Sequence, residues 1–170
     1  MRNPKSVRSH ARRVILSIVV SFAALIILSQ SATAMGWNGI EPLKSRRADV
    51  ERILGKPLVD QPGMEGTLRF KVNGGVVTIS FVTARLVANK KLNPGYEGTV
   101  QEIVLQHDNS SDTPETLTIS GNSKFERERA KGGEVYRNLK EGIIYTFVEG
   151  RLRTTRFMPA AEQWARARKG

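Results

Sequence analysis

Trp37-Asn-Gly-Ile-Glu-Pro-Leu-Lys-Ser-Arg-Arg-Ala-Asp-Val-Glu-Arg-Ile-Leu-Gly-Lys-Pro57 is the stretch that decides the fold. Val50, Ile53 and Leu54 stand at i, i+3 and i+4, on one side of a helix, while Arg47, Glu51 and Arg52 point elsewhere. One face is therefore made to be buried. Ser45 offers an N-cap hydroxyl, Asp49 falls in the first turn where the helix dipole favours an anion, and Gly55 followed by Pro57 ends the helix. The pattern predicts a short helix over 46–54. Trp37, Ile40 and Leu43, stiffened by Pro42, form an apolar lead-in along the same core. A Leu54→Ala change in such a helix–sheet interface costs about 2–5 kcal/mol.

Downstream, the chain reads as strands that need that face. Leu68, Phe70 and Val72 alternate with Thr67, Arg69 and Lys71, and Asn73-Gly74 signals a type I′ turn. The return strand, 76–82, puts Val77, Ile79 and Phe81 on one side. Residues 83–92 are ambiguous between helix and strand, Asn93-Pro94-Gly95 breaks the chain, and 99–106 makes a third strand. The last third repeats the hairpin pattern over 134–139, 143–148 and 151–158, with turns at Lys140-Glu141-Gly142 and Glu149-Gly150. Between these blocks, Leu117 and Ile119 suggest a short strand. Residues 123–130 (S-K-F-E-R-E-R-A) suggest one or two helical turns capped by Ser123, their charges forming a solvated face. The fold expectation is α+β: one antiparallel sheet of five to seven strands with a short helix packed on one face, preceded by an N-terminal signal helix.

The helical stretch carries a resemblance. It resembles the opening of a family of uncharacterised exported bacterial proteins that begins W-x-G-I-x-P-L-x-S-T-R-x-D-V-E-x-L-L-G, and 98–103 and 142–151 resemble the same family. The resemblance implies export and no particular activity. More locally, D-V-E-R-I-L-G-K-P is similar to the helix of SmpA/OmlA-type outer-membrane assembly lipoproteins, which precedes a small antiparallel sheet. This chain departs from both patterns. Arg46 stands where the first family has a capping Thr, and no Cys is present to carry the lipid of the second.

The first residues read as an export signal. Arg2, Lys5, Arg8, Arg12 and Arg13 are basic without an acidic neighbour, and Val14 to Leu28 is apolar but for two Ser. Fifteen residues span only about 22 Å against a hydrocarbon core of about 30 Å, which favours a cleaved signal over a retained membrane anchor. Ala-Thr-Ala34 places cleavage between Ala34 and Met35. The expected organisation is a signal over 1–34, a single α+β domain over 35–159 and a basic, frayed C-terminal tail over 160–170. The signal holds five of the 27 basic residues and none of the 16 acidic ones, leaving 22 against 16, a net charge of +6. Cysteine is absent, which excludes disulfides, thiol chemistry and a lipid-bearing Cys together.

Chemistry is sparsely signalled. The two histidines are His10, in the signal, and His107, at a strand end, which supply neither a two-histidine metal site nor an obvious triad. Asp108-Asn-Ser-Ser-Asp-Thr-Pro-Glu115 reads as a solvated loop and lacks the Gly and terminal Glu of a calcium loop. No cofactor and no specific nucleic-acid contact is expected. Arg151, Arg153, Arg156, Arg166 and Arg168, with Trp164 as an interfacial anchor, form the candidate interaction surface toward an anionic membrane or polymer. The expected function is a non-catalytic binding or adaptor module of the envelope, with an envelope protein as partner. Two alternatives stand beside it: a small envelope hydrolase with an unrecognised carboxylate site, and a binder of anionic lipid or polymer.

Overall fold

Alternation of apolar and polar residues becomes alternation of burial. In the computed structural model, which describes residues 35–60, 66–130 and 132–168, every second residue of Gly75–Phe81 is buried. The expected signal over 1–34, with its helix, lies outside the described residues. All described residues fall within one compact unit, 32–170. Eight antiparallel strands form one sheet: β1 (Val59–Asp60), β2 (Leu68–Val72), β3 (Gly75–Phe81), β4 (Val100–His107), β5 (Glu126–Ala130), β6 (Gly133–Asn138), β7 (Ile143–Val148) and β8 (Arg151–Phe157). Seven have five or more residues, and the two-residue β1 closes one edge. The order β1-β2-β3-β4-β8-β7-β6-β5 makes two meanders that meet where β4 pairs with β8.

The inner face of the sheet is built in rows. Leu68, Ile79, Ile103, Phe157 and Ile143 are successive cross-strand partners, all buried, and Ile40 and Val50 close over them. Val50 belongs to α1 (Arg47–Leu54), and Ile53 and Leu54 of the same helix pack half-buried against the cluster. The helix thus lies on one face of the sheet, with Val50 rather than Leu54 as its most deeply buried residue. Over the other half of that face no helix is used. Residues 108–125 cross from β4 to the far edge at β5, and Ile119, Leu117 and Phe125 cover Tyr136, Phe147 and Leu152. Tyr136 and Phe147 meet edge to face, with ring centroids 5.6 Å apart.

Several local expectations change. Ser45 is not the cap: its carbonyl accepts from Val100 N at 2.7 Å, which holds it extended, and its hydroxyl accepts from Glu41 N at 3.0 Å. Arg46 takes the cap position, and Asp49 accepts its N–H at 3.0 Å. That bond, with Arg52 beside it, holds the Asp49 carboxyl below the usual carboxylate range. At Asn73-Gly74 only Gly74 has a positive φ, so the turn is not type I′. Asn38 and Gly39, at φ 51° and 78°, make the left-handed pair instead, with Trp37 and Ile40 exchanging both backbone bonds at 2.9 Å.

Residues 123–130 are not helical. β5 occupies 126–130 because Gly132-Gly133 turns it back onto β6, where Glu128 meets Arg137 and Arg127 meets Glu134 as ion pairs. Leu117 and Ile119 lie in hydrogen-bonded turns rather than a strand. The ambiguous stretch contains α2 (Ala84–Lys90), whose Thr83 cap accepts from Leu86 N at 3.1 Å. The tail is not frayed: α3 (Ala161–Ala167) docks through Ala167, which is fully buried and whose carbonyl accepts from Asn93 N at 2.8 Å.

Core weights follow from this packing. Phe70→Ala should cost about 3–5 kcal/mol, whereas half-buried Leu54→Ala should cost about 1–2 kcal/mol. Urea-denaturation midpoints measure both, and an equal loss for the two would contradict the burial order.

Candidate functional site

The β5–β6 hairpin, the β7–β8 turn and the start of the crossing loop enclose a cleft of about 620 Å³. Its walls are Thr113 to Glu115, Arg127 and Arg129 of β5, Glu134 of β6 and Glu149 of the β7–β8 turn, with Phe147 behind. Register brings the charges together, since Arg129 is the cross-strand partner of Glu134 and Arg127 that of Tyr136. Arg127 pairs with Glu134 and lies over the Tyr136 ring, 5.8 Å from its centroid. Arg129 Nε stands 3.6 Å from Glu134 Oε1, and the Tyr136 hydroxyl donates to Glu134 Oε2 at 3.2 Å.

These contacts fix ionisation states. The Arg127 hydrogen bond holds Glu134 below the usual carboxylate range, and burial, reinforced by Glu134, pushes the Tyr136 phenol up. Glu115 is also held low, first by its own backbone N–H and then by the Thr113 hydroxyl. The cleft therefore presents fixed anions and cations. Among the described residues no trio of His, Asp or Glu is arranged to hold a metal ion.

The sequence-predicted surface is divided. Arg151 and Arg153 line a shallow recess of about 290 Å³ with residues 109–111, and Arg151 Nη1 donates to the Ser111 carbonyl at 2.8 Å. Arg156 lies on the opposite, open face of the sheet, its Nε 3.4 Å from Glu102 Oε1. Arg166 stands past the other end of β8, beside Lys44 and Tyr96, and Arg168 is exposed at the end of α3. Trp164 packs half-buried against the cluster of Leu43, Val82, Leu92 and Ala167. Met35 is exposed and donates its N–H to the Glu141 carbonyl at 3.1 Å, while Ala34 lies outside the described residues.

Sequence reasoning passed over the cleft because its charges resembled a solvated helical face. The available signal was the alternation E-R-E-R before Gly132-Gly133, which is a hairpin pattern. It also passed over a polar link at the centre. His107 Nε2 lies 2.9 Å from Thr155 Oγ1, joining β4 to β8.

No family model and no curated protein matches the chain. Among solved structures it is similar to a DUF4309 family protein (YjgB) from Bacillus subtilis subsp. subtilis str. 168, with 14% sequence identity and a TM-score of 0.48, covering 75% of this chain and 88% of that one. Among the described residues no helix is long and apolar enough to cross a membrane.

His107, the only histidine among the described residues, is partly buried, and burial lowers its pKa against an opposing pull from Asp112. A lowered folded value means that the unfolded chain takes the proton first as pH falls. Stability should therefore be full above about pH 6.5 and decline below it, until the folded imidazole protonates. Urea midpoints at about pH 7.5 and about pH 5.5 should differ in the wild type and converge in His107→Gln. An unchanged gap in the variant would remove His107 as the cause.

Proposed function

We propose that this chain is an exported, non-catalytic binding module of the cell envelope, and that the cleft between the β5–β6 hairpin and the β7–β8 turn seats its ligand. The observation that carries this reading is the presence of Arg129 and Glu115 as opposite charges lining one cleft, in which Arg127 is paired with Glu134 and Arg129 stands 3.6 Å from the same carboxylate. A small polar molecule bearing both a carboxylate and an ammonium suits such a cleft, its carboxylate on Arg129 and its ammonium on Glu115. The basic signal segment and the Ala-Thr-Ala34 site support export.

A hydrolase reading finds less support. Glycoside cleavage by a carboxylate pair needs one member kept protonated near neutral pH. Glu115 and Glu134 are both shifted the other way. The Arg151–Arg153 recess favours a second binding reading, contact with anionic lipid or polymer, because two guanidiniums line it and no carboxylate does. That contact must weaken as salt rises.

Thermal unfolding of the full chain with dialanine, its N-acetyl form and its C-terminal amide tests the cleft. The free dipeptide should raise the melting temperature more than either blocked form, and Arg129→Ala and Glu115→Gln should each remove that advantage. No difference among the three probes, or no effect of the variants, would reject the cleft as a zwitterion site. For export, envelope material should yield a chain whose intact mass lacks residues 1–34; the full-length mass there would reject cleavage.

A further inference from the structure

At the end of β3, Phe81 and Val82 are 6% and 2% exposed, and they floor a recess of about 440 Å³. The volume falls within the range of small-molecule pockets, which are commonly apolar with a few placed polar groups. Thr83 and Ala84, at the start of α2, line it together with Gly66 and Gly98. Gly66 sits at φ +86°, and a Cβ there would come within 3.7 Å of Phe81 Cδ2. A side chain at that position would lie on the Phe81 ring, so glycine keeps the floor open.

Charge at the rim is one-sided. Arg47 and Arg85 stand there against the single carboxylate of Glu97. A third guanidinium backs the wall, since Arg46 Nη1 is 3.6 Å from where a Cβ of Gly98 would lie, and Arg46 is anchored by donating to the Glu97 and Gly95 carbonyls at 3.0 and 2.9 Å. Arg47 Nε donates to Glu51 at 2.9 Å. Arg85 makes no hydrogen bond or ion pair among the described residues. An apolar floor with a cationic rim disfavours a purely polar anion, which gains nothing from Phe81 and Val82, and a neutral hydrocarbon, which gains nothing from the guanidiniums.

We propose that this recess binds a free apolar acid, a flexible hydrocarbon chain lying on Phe81 and Val82 with one anionic head against Arg85. Carboxylate and phosphate-monoester heads share that chemistry. The proposal stands independently of the charged cleft, so Arg129→Ala should leave it unchanged.

Calorimetric titration of the full chain with dodecanoate, dodecyl phosphate, dodecanol and butyrate tests it. One saturable site for dodecanoate is expected, with dodecanol weaker by about tenfold for want of the charge-assisted bond and butyrate not bound. Arg85→Glu should weaken both anionic ligands by about tenfold or more and leave dodecanol unchanged. Ala84→Trp, at an exposed position that lines the recess, should fill it and abolish binding of all three long chains. Preference for either anionic head supports the site and identifies the source of the ligand. Absence of saturable binding in the wild type, or binding that Arg85→Glu and Ala84→Trp both leave intact, overturns it.

Discussion

Pairing of β4 with β8 is the constraint on which the rest of this structure depends. Each meander is built from neighbours in sequence, but β4 and β8 are brought together across the whole crossing loop and three intervening strands. The seam spans four register pairs, from Ile103 with Phe157 to Gln106 with Thr154. It is reinforced on both sides of the sheet. On the inner face Ile103 and Phe157 belong to one buried cluster, extended by Ile143 of β7, and His107 meets Thr155. On the open face Arg156 reaches Glu102. Burying Ile103 and Phe157 removes apolar area from water on both halves at once, so neither meander completes its core alone.

The seam also sets where the recess and the cleft lie. Antiparallel registers place the end of β3, the start of β4 and the end of β8 at one end of the sheet, and the β7–β8 turn at the other. The apolar recess by Phe81 therefore lies at the first end and the charged cleft by Glu149 at the second. Both are built from groups at strand ends and loops, where backbone need not serve the ladder and side chains need not serve the core. The interior rows between them are filled by packing residues.

Much of the sheet was legible because burial imposes a period of two. Val77, Ile79 and Phe81, or Leu68 and Phe70, could not alternate so regularly for any other local reason. What was not legible depended on long-range partners. Ser45 looks like a cap until Val100 claims its carbonyl, and Arg127 and Arg129 look solvated until Gly132-Gly133 folds Glu134 against them. The half-burial of Trp164 follows from Leu43, Val82 and Leu92, scattered over fifty residues, gathering beneath it, which no local pattern announces. The β5 error has a specific cause. Alternating Glu and Arg suit a charged helix face and an edge strand equally, and only the following hairpin glycines separate the two.

If the seam unites the meanders, they must open together. Native-state hydrogen exchange, with amides of β3 compared with those of β7, measures this most directly. The account predicts one opening free energy for both, equal to that of global unfolding and lowered in parallel by Ile103→Ala. Amides of β5 to β8 that exchange through a separate, lower-energy opening while β2 to β4 stay protected would contradict it.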